Sequence, residues 1–107
     1  MKRIEFLGTS RTDLLAFPAS ARAEAGHELY LVQEGCQPND FKPMATIGEG
    51  AYEIRIRDKA GAFRVIYVAK FKSAIYVLHA FQKKTQQTAA SDLELAARRY
   101  RTIGEST

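Results

Sequence analysis

One cysteine and two histidines are all the thiol and imidazole chemistry that 107 residues offer. A single thiol, Cys36, cannot close an internal disulfide, which points to a reducing cytosol. It follows Gly35 in a predicted loop, with no histidine or second thiol near it, and reads as a spectator. His27 and His79 lie far apart, and residues 54–84 hold no paired carboxylates, so no ligand set emerges and no metal or cofactor is expected. The glycines are equally silent about nucleotides: "GEG" at 48–50 is neither a P-loop nor a Gly-x-Gly-x-x-Gly turn. A nucleophile setting for serine-type catalysis is missing as well. No run approaches the ~20 uninterrupted apolar residues of a membrane span. Glu5 and Asp13 interrupt "MKRIEFLGTSRTDLL" where a signal peptide needs an apolar stretch, so a cytoplasmic chain without membrane attachment is expected.

Acid is scarce in one segment. Residues 54–84 carry Arg55, Arg57, Lys59, Arg64, Lys70, Lys72, Lys83 and Lys84 against Asp58 alone, a net +7. Residues 1–53 set five cations against eight acids, and residues 85–107 balance three against three, so the whole chain reaches only +4. A positive field concentrated in this way favours a polyanionic partner, nucleic acid first and an acidic protein segment second. Otherwise the composition is ordinary: 46% apolar and 26% charged residues fit a globular protein, and the length fits one domain over residues 1–107.

The periodicities give an element order. "RIEFLG" reads as a short strand punctuated by Gly8, and "TDLLAF" as one or two helical turns. Pro18 suits the first turn of a helix in which Ala21, Ala25, Leu29 and Val32 recur at helical spacing, with Arg22, Glu24 and Glu28 elsewhere on the wheel. His27 lies in this acidic helix and reads as surface or packing. Gly35 closes it. Residues 36–50, with two prolines and Asn39-Asp40, read as a long connection. The period then becomes two. In "AYEIRIR" Tyr52, Ile54 and Ile56 point one way, while Glu53, Arg55 and Arg57 point the other. "DKAGA" is a turn with Gly61 available for positive φ, and "FRVIYVAK" and "AIYVLHAF" are strands rich in β-branched and aromatic residues. Leu93, Ala96, Ala97 and Tyr100 make the stripe of a last helix, with a capping box at Ser91 and Glu94 or a cap at Thr88, and a frayed tail from Thr102. The order β-α-α-β-β-β-α implies an α+β fold, with helices packed on a mainly antiparallel sheet.

Arg55 and Arg57 share one face of a strand and emerge about 7 Å apart. A hairpin across "DKAGA" brings Arg64 beside them, and three planar forks can grip adjacent phosphates. The plainer reading is a solvated face with Glu53 as ion-pair partner. His79 is the only histidine in the basic segment. A histidine on an apolar strand is more often a hydrogen-bonded core residue, but on the arginine face neighbouring cations would favour the neutral ring, which can accept a proton. These groups suit phosphodiester chemistry without a metal, in which an RNA 2′-hydroxyl attacks its own phosphate while a base takes its proton and cations stabilise the added charge.

The tract "YEIRIRDKAGAFRVIYVAKFKSAIYVLHAFQKKTQQT", followed by "DLELAARRY", resembles the HigB-type, phage-derived branch of the RelE/ParE toxin superfamily. The similarity runs from "IEFLG" through "DFKPMATIGEG" to the last helix, and "LHAFQKKTQ" is its most specific part. The resemblance implies a RelE-like fold with two N-terminal helices and one C-terminal helix, and a toxin of a type II toxin–antitoxin module that cuts mRNA on the translating ribosome. It makes Arg57 and Arg64 the basic residues of the hairpin, Arg55 a further basic position, and Lys83 or Lys84 the basic group after the last strand. Arg57, Arg64, His79 and Lys84 are then the expected catalytic set, with Arg55, Lys59 and Lys83 on the RNA phosphates. RelE's tyrosine near the start of the last helix has no counterpart in "TQQTAAS", and Tyr100 comes too late, so His79 takes its place in this reading. The implied partners are ribosome and mRNA, a cognate antitoxin with a helix-turn-helix domain, and operator DNA reached through that antitoxin. A ParE-like gyrase inhibitor and a non-catalytic nucleic-acid-binding regulator are the alternatives.

Overall fold

Alternation of apolar and polar residues from Ala51 to Arg57, followed by two runs rich in β-branched and aromatic residues, builds the centre of the molecule. A computed structural model describes residues 1–104 of the chain. Strands β3 (Ala51–Asp58), β4 (Gly61–Val68) and β5 (Ile75–Lys83) form an antiparallel meander. Strand β1 (Ile4–Phe6) adds to β5 in parallel, and β2 (Phe41–Pro43) adds to β3 antiparallel, giving the order β1-β5-β4-β3-β2. Helices α1 (Ser10–Leu15) and α2 (Ala19–Gln33) precede β2, and α3 (Ala90–Ile103) follows β5. The expected α+β order therefore stands, with one strand added. Of the expected frayed tail, Thr102 and Ile103 are still helical and Gly104 caps the helix, while residues 105–107 lie outside the described residues.

Each face of the sheet buries its own cluster. Ile54, Ile56, Val65 and Val77 pack with Ala21, Ala25, Leu29 and Val32 of α2, the stripe the spacing predicts. On the opposite face Ala51, Ile66, Val68 and Leu78 pack with Ala96 and Ile103 of α3, and Leu93, Ala97 and Tyr100 border them. The β3–β4 turn is tight: Asp58 pairs with Gly61, whose φ of +134° suits a residue without Cβ. Among the described residues no helix is long and apolar enough to cross a membrane.

Four local expectations change. Strand β2 arises inside the predicted connection. Pro43 is tolerated there because β2 is an edge strand, where a missing N–H leaves no ladder bond unmade. Glu28, placed by the helical wheel on the polar side of α2, is only 1% exposed. Its carboxylate accepts hydrogen bonds from the Asn39 backbone N–H at 2.7 Å and side-chain amide at 2.9 Å, so it pins the start of the connection. Ser91 does not cap α3, because the helix begins at Ala90. Thr88 does not cap it either, since its hydroxyl is turned to Glu53. Finally, β5 carries a bulge. Ile66 pairs with His79 and Tyr67 with Val77, so Leu78 is the extra residue, and His79 faces α3 rather than sharing the face of Val77.

Glu28→Ala is expected to lower the unfolding free energy by about 2 kcal/mol, the scale of hydrogen bonds to a charged acceptor. Urea denaturation checks this, and an unchanged midpoint would show that Asn39 is held by other contacts.

Candidate nucleic-acid interface

The register turns the α3 side of the sheet into successive cross-strand rows. Ala51, Val68 and Tyr76 form an apolar row, and Lys42, Glu53, Ile66 and His79 form the next. Then come Arg55, Arg64 and Phe81, and nearest the β3–β4 turn Arg57, Ala62 and Lys83. Charge and exposure rise together along this series. Glu53 is 2% exposed and Arg64 9%, whereas Arg55 is half-buried and Arg57 exposed.

Glu53 and Arg64 form the buried step. Arg64 Nε lies 3.5 Å from Glu53 Oε1, and Thr88 donates its hydroxyl to Glu53 Oε2 at 2.9 Å. Arg64 Nη1 donates to the Phe63 carbonyl at 3.0 Å. Burial pulls the Arg64 pKa below its ordinary value, and the charge of Glu53 opposes that pull. The guanidinium stays charged, because its ordinary pKa lies so far above neutrality. Arg55 is steadied differently, with Nε donating to Asp40 Oδ1 at 3.1 Å.

A groove of about 450 Å³ opens over these residues. Lys42, Arg55, Arg64 and Lys83 bring cations to it, Gln86, Gln87 and Thr88 line it from the segment before α3, and Met44 and Leu93 add apolar surface. Of the expected site residues, the structure thus brings together Arg55, Arg64 and Lys83. Arg57 and Lys59 are exposed at the hairpin end, outside the groove lining, and Lys84 lines a smaller recess with Phe81 and Asp92. The +7 segment is not one patch. Lys70 and Lys72 belong to the β4–β5 connection at the other end of the meander, where Lys70 pairs with Glu49 at 3.4 Å.

His79 does lie on the arginine face of the sheet, one row from Arg55 and Arg64, but outside the groove. It is 6% exposed and absent from the groove lining, its Nε2 lies 2.7 Å from Asp92 Oδ1 of α3, and its ring stacks on Phe81 with centroids 4.7 Å apart. The group facing it is a carboxylate rather than a set of cations. Glu53 and His79 end up as the two buried polar groups of one row, one bound to Thr88 and the other to Asp92, and together they fasten the segment before α3 and its first turn to the sheet. Tyr100 is remote from the groove, donating to the Glu49 carbonyl at 2.6 Å. Among the described residues no three His, Cys, Asp or Glu side chains gather as a metal site.

Sequence reasoning missed Lys42 and the role of Thr88. Lys42 belongs to a strand too short to show a period. Glu53 was visible on the arginine face through simple alternation, but its burial was not.

This sheet order, with two helices on one face, a terminal helix on the other and a cationic groove at one end, defines a small α+β class. The fold is shared with the E. coli toxin RelE, solved in its free state as a double arginine-to-alanine mutant: TM-score 0.66 and 14% identity, covering 95% of this chain and 97% of that one. The RelBE2 toxin–antitoxin complex of Mycobacterium tuberculosis matches with a TM-score of 0.52 and 21% identity, over 77% of this chain and 98% of that one. Residues 12–101 match the family model described as phage derived protein Gp49-like (DUF891), and the chain belongs to that family. No curated protein sequence matches it.

The Glu53–Arg64 pair carries a stability signature. Arg64→Ala strands a buried carboxylate and is expected to cost about 3 kcal/mol. Adding Glu53→Gln removes the stranded charge and should recover most of that loss in chemical denaturation. A double variant no more stable than Arg64→Ala would show that the two charges are not coupled.

Proposed function

We propose that this chain is the toxin of a type II toxin–antitoxin module, of the HigB-type branch, acting as a metal-independent endoribonuclease on mRNA in the translating ribosome. One observation carries the reading: a groove that gathers Lys42, Arg55, Arg64 and Lys83, with Arg64 held from beneath by a buried carboxylate. Such a guanidinium is preorganised before substrate arrives, which is what stabilisation of a transition-state charge requires. Family membership and the RelE-like fold support the same class.

In the proposed reaction the substrate's 2′-hydroxyl oxygen bonds to the adjacent phosphorus and loses its proton to a base. The bond to the 5′-oxygen breaks, and that oxygen takes up a proton. The products are a 2′,3′-cyclic phosphate and a 5′-hydroxyl. Arg64 and Arg55 stabilise the negative charge on the phosphoryl oxygens, and Lys83 and Lys42 extend the contact along the strand. Arg57, Lys59 and Lys84 attract the backbone from outside the groove. His79 moves in this proposal from proton transfer to holding α3, because its Nε2 is engaged by Asp92 and the ring lies buried outside the groove. The partners are those of a module of this kind: a cognate antitoxin bearing a helix-turn-helix domain, which covers the groove or blocks ribosome entry and carries the pair to operator DNA, all in the cytoplasm.

Expression without a partner is expected to arrest growth and to leave new ends in translated transcripts. Intact transcripts with DNA damage would support gyrase inhibition instead, and RNA binding without ends would support a regulator. The Glu53→Gln/Arg64→Ala protein should lose cleavage by roughly 10²-fold or more, as when one oxyanion donor is removed.

His79→Gln can still donate to Asp92 and should stay within about tenfold of the parent. A drop beyond about 10²-fold, the range of a lost general acid or base, would return His79 to proton transfer.

A further inference from the structure

The two sides of the groove differ in chemistry. The sheet side offers cations, which suit phosphate oxygens. The side formed by the segment before α3 offers two primary amides, Gln86 and Gln87, with the apolar side chains of Met44 and Leu93 nearby. A phosphodiester presents only acceptors, so an amide carrying a donor and an acceptor together is poorly matched to it. Base edges present both.

The segment is built to hold those amides in place. Lys83 donates to the Gln86 carbonyl, Thr85 donates to the Gln87 carbonyl, and Thr88 anchors the far end to buried Glu53. The backbone of both glutamines is therefore tied within the chain. Among the described residues neither side-chain amide makes a hydrogen bond inside the protein. Both residues are exposed, and both line the groove that Arg55 and Arg64 enter.

From this we infer that Gln86 and Gln87 are the specificity-determining residues of the groove: their amides read the edge of a nucleobase whose phosphate rests on Arg55 and Arg64. The inference rests on the endoribonuclease reading and assigns the choice of cleavage site to residues that reading leaves without a role. The division of labour follows the general rule that phosphate contacts position a nucleic acid while base contacts specify its sequence. Half-buried Leu93 supplies apolar surface against which a base face can lie, with buried Met44 behind it in the same cluster.

The test is a map of 5′ ends across cellular transcripts after brief expression of three proteins: the parent, Gln86→Ala/Gln87→Ala and Gln86→Glu/Gln87→Glu. Both positions are exposed, so the variants keep the folded core. The ratio of cleavage at favoured to disfavoured nucleotides should fall by at least about fivefold in the alanine variant, the discrimination that one good amide–base pair supplies. The glutamate variant, which keeps acceptors and loses the donor, should shift the preferred base. If both variants preserve the parent's ranking of sites, whether total cleavage falls or not, the assignment is wrong. A parent that produces no ends at all defeats the nuclease reading itself, and that outcome is read from the parent alone.

Discussion

The buried contact between Glu53 and Arg64 is the constraint on which the rest of the site depends. An unpaired charge at either position would be costly, since each is almost fully removed from water. Paired, they fix a guanidinium at the base of the groove, and the second oxygen of Glu53 is left to receive Thr88. The same carboxylate thus sets the main cation and anchors the segment that carries Gln86 and Gln87. The proposed chemistry and the proposed specificity therefore both depend on one residue on one strand.

That arrangement follows from register. Antiparallel pairing puts Arg55 opposite Arg64, and like charges facing each other would repel if both were left bare. Each is instead matched to its own carboxylate, Arg64 to Glu53 and Arg55 to Asp40. The bulge at Leu78 performs a related service on β5. It rotates His79 toward α3, where Asp92 waits, and so lets one cross-strand row clamp the start of the terminal helix at both ends.

Much of the fold was legible because β3 obeys simple alternation, because β4 and β5 are rich in β-branched and aromatic residues, and because Ala21, Ala25, Leu29 and Val32 repeat at helical spacing. The arginine cluster followed from the same alternation plus a hairpin. What was not legible depends on tertiary contacts that no local pattern encodes. A three-residue strand beside two prolines has no period, so Lys42 was hidden. A one-residue bulge reverses a face without changing composition, so the surroundings of His79 could not be read. The burial of Glu28 and Glu53 depends on what packs above them, and Thr88 has the chemistry of a cap yet bonds across the sheet. Proximity in sequence also overstated the charge, since Lys70 and Lys72 lie beyond the far end of the strands that carry the other cations.

The central claim is that the cationic groove promotes internal attack by the RNA 2′-hydroxyl, and the chemistry of the cut ends tests it most directly. The purified chain would be added to ribosomes translating a defined mRNA, and the termini of the fragments identified. The account predicts 5′-hydroxyl and 2′,3′-cyclic phosphate ends. Fragments bearing 5′-phosphate and 3′-hydroxyl termini would show that water, not the RNA's own hydroxyl, is the nucleophile, and would contradict it.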